Sequence, residues 1–329
     1  MTQLICVNNT VPKNKGGCIS VFTPTTAAAG QGLTRLELLR GPNKARSYLA
    51  LNSARDGGAV SVSNAQVKME YADFHSNSAL LSGGSVHAED ASFLILTDCS
   101  FTNSSVGGTL PPGMAYATRQ GGVISTVAGH LTIDSCTFKD STVLPPGGMA
   151  ACADYFQEES ASTSDYRGGV LAMGETSFES LTNMVIGSRA CSGGYFYFSG
   201  RANCNAIFDS YIGLHAYTAS GFVVAGVQTL NAFLNEAHHC RSERAAGLFA
   251  VSSSQEMFFT ESVFNNISVA DGESVMTESA RTRAGSPISA GRVGAGAWQA
   301  VLCRSGPSRT HLKRADSHVL IFALLSVFV

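Results

Sequence analysis

The sequence predicts an all-β chain wound as a right-handed parallel β-helix, a solenoid of about seven to eight three-strand coils. Three observations predict it. A Gly-Gly pair recurs along the chain, the residues after each pair alternate in polarity, and an aromatic residue with a short polar turn closes several of the units.

The glycine step comes first in each unit, at Gly57-Gly58, Gly83-Gly84, Gly121-Gly122, Gly168-Gly169 and Gly193-Gly194, with weaker copies at Gly221-Phe222 and Gly247-Leu248. Aligned on that step, the fourth column reads Val60, Val86, Ile124, Leu171, Phe196, Val223 and Phe249, and the sixth begins Val62, Ala88 and Thr126. The fifth reads Ser61, His87, Ser125, Ala172 and Tyr197. Such a period of two is that of a strand with one face toward a core, so the fourth and sixth columns point inward and the fifth outward.

A second strand ends the unit. Val67 and Met69, Leu94 and Leu96, Leu131 and Ile133, and Met257 and Phe259 precede the aromatics Phe74, Phe101, Phe138 and Phe264 with the same parity. Two residues before the aromatic stand Ala72, Cys99, Cys136 and Ser262, small side chains suited to a crowded corner. Cys99 and Cys136 are expected to be buried as free thiols. One unit cannot bury these columns alone, whereas stacked units lay like residues over like. Seven coils are expected over residues 57–270, after an irregular segment or imperfect first coil over 1–56 that includes Gly16-Gly17-Cys18. Residues 271–329 lose the pattern and are expected to form a disordered tail.

Composition agrees with many short strands: 44% of residues are hydrophobic, 14% are charged and 34 are glycine. Residues 57–270 hold 8 Lys and Arg against 18 Asp and Glu, a net of −10, which excludes the basic footprint of a nucleic-acid binder. The nine cysteines contain no CxxC pair and no zinc spacing, and they leave room for one or two bridges in an oxidising compartment. Met1–Thr10 carries neither the basic stretch nor the apolar run of a secretory signal. The apolar run Val319–Val329 is 11 residues long. A bilayer-spanning helix needs about 20, so the sequence leaves membrane attachment open.

The pairing of Gly57–Ala59, Gly83–Ser85 and Gly121–Val123 with FxxN-like steps at Phe74–Asn77, Phe101, Phe138 and Phe264 resembles the repeat of polymorphic outer membrane proteins, which fall among the pectin-lyase-like β-helices. The resemblance covers residues 57–270. It implies a β-helix exposed on a cell surface or outside the cell, in an adhesive role. Residues 271–329 hold no series of alternating ten-residue strands, so the membrane barrel of that family is not expected within them.

The expected function is therefore non-enzymatic: a structural, adhesive or glycan- or protein-binding surface module with no catalytic residues. The alternative is a carbohydrate-active enzyme of the pectin-lyase type, a polysaccharide lyase or glycoside hydrolase. Such chemistry needs paired carboxylates, or carboxylates holding Ca²⁺, on one face, and the fifth column contains none. Two insertions, Val106–Gln120 and Val143–Arg167, leave adjacent coils at the same edge and must lie side by side. Loops on a rigid scaffold carry recognition, so Tyr116, Arg119, Tyr155, Phe156, Glu158, Glu159, Tyr166 and Arg167 are the candidate ligand-binding residues. A corner with Glu70, Asp98 and Asp134 on consecutive coils is the candidate Ca²⁺ site, against the plainer expectation of a solvated polar edge. His238-His239-Cys240 is expected to hold no metal, because neighbours on a strand face opposite ways.

Overall fold

The computed structural model describes residues 3–24, 33–41, 45–107, 118–153, 166–200, most of 203–278, and 302–304, with side chains given through 223 and at 235–243. Among the described residues the regular structure is almost entirely strand, gathered into three parallel sheets. The molecule is a parallel β-helix. One coil runs from Val60–Ser63 through Ala65–Glu70 along a long face, turns into the short aromatic strand Ala72–His75, then passes along an arm, Ser78–Ser82, to the next pair, Gly83-Gly84.

Each segment pairs with its counterpart one coil on. On the long face Val60 pairs with Val86, Val86 with Ile124 and Ile124 with Leu171, so the fourth column stands in single file inside the core. Leu94 and Leu96 align with Val67 and Met69 on one side and with Leu131 and Ile133 on the other. Phe74, Phe101 and Phe138 align on the aromatic face, their rings stacked with centroids 4.5 and 5.1 Å apart. These side chains are fully buried, and each such burial contributes about 1.5–3 kcal/mol.

Sharp corners make the winding compact. Gly57, Gly83, Gly121, Gly168 and Gly193 all have φ between 61° and 65°, the left-handed region that glycine enters without strain. The second glycine serves packing: a Cβ on Gly58 would stand 2.1 Å from the carbonyl oxygen of Gly84. Two further corners use non-glycine residues in the same conformation. Tyr71, Asp98, Ser135 and Thr182 precede the aromatic strand, and Leu51, Ser76, Asn103 and Asp140 follow it. Just inside that last corner lie Asn52 and Asn77, both buried, with Asn52 Nδ2 donating to Asn77 Oδ1 at 3.1 Å and Asn77 Nδ2 to the Leu49 carbonyl at 2.8 Å. The FxxN asparagine thus satisfies backbone groups at a buried turn.

One alignment needs correction. The weaker glycine at Gly221 places Val223 in the fourth column, whereas Phe196 pairs with Phe222, one residue earlier. A slip of one residue exchanges the faces of a strand. The slip buries the larger side chain: the Phe222 ring meets those of Tyr195, Phe196 and Tyr211 at centroid distances of 5.5, 5.6 and 5.3 Å.

The winding also includes residues before 57. Ile19–Phe22, after Gly16-Gly17, pairs with Val60–Ser63, and Thr34–Leu38 pairs with Ala65–Met69. A disulfide, Cys6–Cys18, crosses this first coil. Within the region expected to be a tail, Ser274–Glu278 and Leu302–Arg304 are strands, and the remainder from 279 onward lies outside the described residues. Cys99 and Cys136 are buried free thiols. No helix among the described residues is long and apolar enough to cross a membrane.

Candidate binding crevice

The arms of successive coils together shelter one small apolar cluster, separate from the main core: Ala79, Val106, Val143 and Ala190 with Tyr166, Cys152 and Cys191. Because the Gly-Gly corner that follows is tight, the last arm residue comes to face the fifth-column residue of the long face. The arm row reads Lys15, Asp56, Ser82, Gln120, Arg167 and Ser192, in register from coil to coil. Opposite it run Ser61, His87, Ser125, Ala172 and Tyr197. Gln120 Nε2 donates to Ser125 Oγ at 3.4 Å, and the Arg167 guanidinium lies 4.7 Å from the centre of the Tyr197 ring.

The fifth column does alternate away from the core, yet Ser61, His87, Ser125 and Ala172 are buried, as are Asp56, Ser82 and Ser192 across from them. The two rows therefore close on each other as a narrow polar crevice parallel to the solenoid axis, its inner side chains shut off from solvent. Small side chains form its floor, while Lys15, Glu89, Gln120, Arg167 and Tyr197 stand half-buried along it.

The carboxylates Glu89 and Asp56 are both paired. Glu89 accepts from Lys15 and lies 3.3 Å from His87 Nε2, and the His87 bond leads the effects that hold its carboxyl down at about 2, against the opposing cost of burial. His87 Nδ1 is buried without a hydrogen-bond partner. Asp56 is engaged by Arg55 Nε at 2.8 Å. A glycosidase needs one carboxyl held protonated near neutral pH, and Glu89 is shifted the opposite way. The described carboxyl that is pushed up, Asp209, lies in the core corner before the aromatic strand.

The two insertions leave and re-enter side by side. Ser105-Val106 pairs with Thr142-Val143 where they depart, and Arg119-Gln120 pairs with Tyr166-Arg167 where they return. Arg119 donates to the Tyr166 hydroxyl and lies 5.0 Å from its ring centre. Of the candidate residues, Arg167 thus faces the crevice, whereas Arg119 and Tyr166, one position earlier on the same strands, are buried on the other face of the arm, Tyr166 within the small cluster. Tyr116, Tyr155, Phe156, Glu158 and Glu159 lie outside the described residues. A second disulfide, Cys152–Cys191, ties the start of the second insertion to the arm of the following coil, where Leu144 and Met149 pack on the small cluster.

The acidic corner is not one rung. Glu70 and Asp134 both align with Thr97, so a whole coil separates them, and Asp98 sits one position later in the left-handed turn. Glu70 pairs with Lys68 at 2.6 Å, and Asp134 accepts from Ser135 and Thr182. Among the described residues, His238 and His239 with them, no three His, Cys, Asp or Glu gather as a metal site.

Sequence reasoning listed the fifth column but missed the crevice. Its second wall, the residue just before each glycine pair, was the available signal. The fold and this groove define a parallel β-helix with an axial polar crevice. Comparison with protein-family models, curated proteins and solved structures returns no match.

Proposed function

We propose that this chain is a non-catalytic recognition module of a cell surface or extracellular space, which holds a glycan or an extended protein segment along the half-buried rim of the crevice and the feet of the paired insertions. One observation carries the reading: the half-buried Arg167 guanidinium lies 4.7 Å from the centre of the half-buried Tyr197 ring at the crevice wall. A flat ring beside a guanidinium donor suits the apolar face and the hydroxyl or carboxylate groups of a sugar chain. The paired state of Glu89 and Asp56 favours binding over hydrolysis. The two disulfides agree with an oxidising compartment, and the glycine and FxxN-like repeats resemble those of surface-exposed β-helices.

A glycan array probed with the full chain and with its Arg167→Ala variant tests this. Binding of one class of glycan, weakened about tenfold or more in the variant, is the expected result, since one buried-rim cation is worth about 1.4 kcal/mol or more. Release of unsaturated or reducing ends from polygalacturonate, with or without Ca²⁺, overturns the non-catalytic reading in favour of a polysaccharide lyase or hydrolase.

A further inference from the structure

One buried carboxyl stands apart from the crevice. Two residues before the aromatic position, each coil places a side chain in the corner under the turn, and over five coils that row reads Cys99, Cys136, Asn183, Asp209 and Asn235. The first four backbone N–H groups of the row each donate to the side chain one coil on. Cys99 N reaches Cys136 Sγ at 3.3 Å, Cys136 N reaches Asn183 Oδ1 at 2.8 Å, Asn183 N reaches Asp209 Oδ1 at 2.8 Å, and Asp209 N reaches Asn235 Oδ1 at 2.9 Å. The amides at the flanking rungs also donate, Asn183 Nδ2 to the Ile133 carbonyl and Asn235 Nδ2 to that of Ala206. Asp209 supplies the acceptor of this motif without the amide donor. Its Oδ2 is met by the hydroxyls of Ser180 and, at 3.2 Å, Tyr211.

The side chain is 1% exposed. The ionisable groups around it are Tyr211 on the strand that follows it, Tyr195 from the preceding glycine corner, and beyond these the thiols of Cys136 and Cys240, all neutral at ordinary pH. No Lys or Arg pairs with it among the described residues. Asn183 Nδ2 also donates to Asp209 Oδ1, at 3.3 Å, yet an anion with no cationic partner in a dry corner is expensive even with such donors, while a protonated carboxyl is the near-isostere of the amides above and below it.

We propose that Asp209 is a proton-controlled rung: the solenoid is most stable when this carboxyl is protonated and completes a neutral ladder, and it loosens when the carboxyl ionises. Burial is the leading cause, raising Asp209 from 3.8 to about 6 against the hydrogen bonds of Ser180, the Asn183 amide and Tyr211. The folded chain then holds the proton more tightly than the unfolded chain. The stabilisation is complete below about pH 4 and is lost as pH rises through about 6.

Denaturant unfolding of the wild-type chain and its Asp209→Asn variant at pH 4 and pH 7 tests the proposal. At pH 7 the variant is expected to have the smaller unfolding constant, by about a hundredfold, and at pH 4 the difference should vanish. A difference of equal size at both pH values, or a wild-type chain that is the more stable at pH 7, overturns the proposal; a variant that does not fold at pH 7 counts as the latter. Independently of any variant, the ¹³C carboxyl resonance of Asp209 should titrate with a midpoint near 6 in the native chain, and an ordinary midpoint near 4 also overturns it.

Discussion

At Gly84 a Cβ would stand 2.2 Å from the carbonyl oxygen of Gly122 and 2.6 Å from that of Ser105, both backbone atoms of the next coil. Gly84→Ala must therefore push two coils apart, and a cost of about 4 kcal/mol or more is expected, in the range kept for severe backbone conflicts. Gly174 is the control. Its added methyl meets nothing nearer than 3.7 Å, so Gly174→Ala should leave the melting temperature unchanged or slightly raised. Equal losses in the two variants would contradict the packing role given to the second glycine. At the crevice, Glu89 titrates with the opposite sign to Asp209. Its folded-state value, about 2, lies below the ordinary 4.5, so its stabilisation is present above about pH 4.5 and is lost as pH falls through about 2. Glu89→Gln should thus match the wild type in thermal unfolding at pH 2 and fall below it at pH 6, whereas a pH-independent gap would show that the His87 and Lys15 contacts do not hold the charge.

Among the elements, the aromatic strands and the arms divide the work of core and surface. Phe101 is sandwiched between Phe74 and Phe138, so Phe101→Ala leaves a cavity in the middle of a stack, and a loss of about 3–5 kcal/mol in unfolding free energy is expected. The Cys152–Cys191 bond fixes the second insertion to the neighbouring arm. Replacing both cysteines by serine should speed limited proteolysis between residues 144 and 165 with little change elsewhere, and unchanged cleavage would show that the Leu144 and Met149 contacts suffice. These elements also mark how far the sequence could be followed. Coils carrying both a glycine pair and a phenylalanine, such as those of Phe74, Phe101 and Phe138, were legible in every column. In the coils of Val185, Tyr211 and Ala237 the phenylalanine is absent, and with it went the register that would have placed Asn183, Asp209 and Asn235 in the corner row. The slip at Phe222 was hidden for a related reason: one glycine fits two registers, and only the ring packing of Tyr195, Phe196 and Tyr211 chooses between them. That the insertions share an edge followed from spacing alone, but the crevice did not. Its walls belong to different strands and meet only after the arm turns back at the glycines.

For the molecule as a whole, length along the axis should depend on coil number and on nothing else. Lys68, Ile95, Thr132, Glu179, Asn205 and Asn231 occupy one row of the long face, each paired with the next, although between 26 and 47 residues separate successive members. The insertions lengthen the chain between coils without lengthening the stack, which is how a solenoid accommodates loops while keeping an unbroken crevice. Nitroxide pairs placed at Lys68 with Glu179, Asn205 and Asn231 in turn, read by pulsed electron–electron resonance, test this arrangement directly. Distances should increase by about 4.8 Å per coil, near 14, 19 and 24 Å apart from the reach of the labels. Distances that follow sequence separation instead, or show no common step, would contradict the stacked parallel coils from which the crevice and the corner ladder both derive.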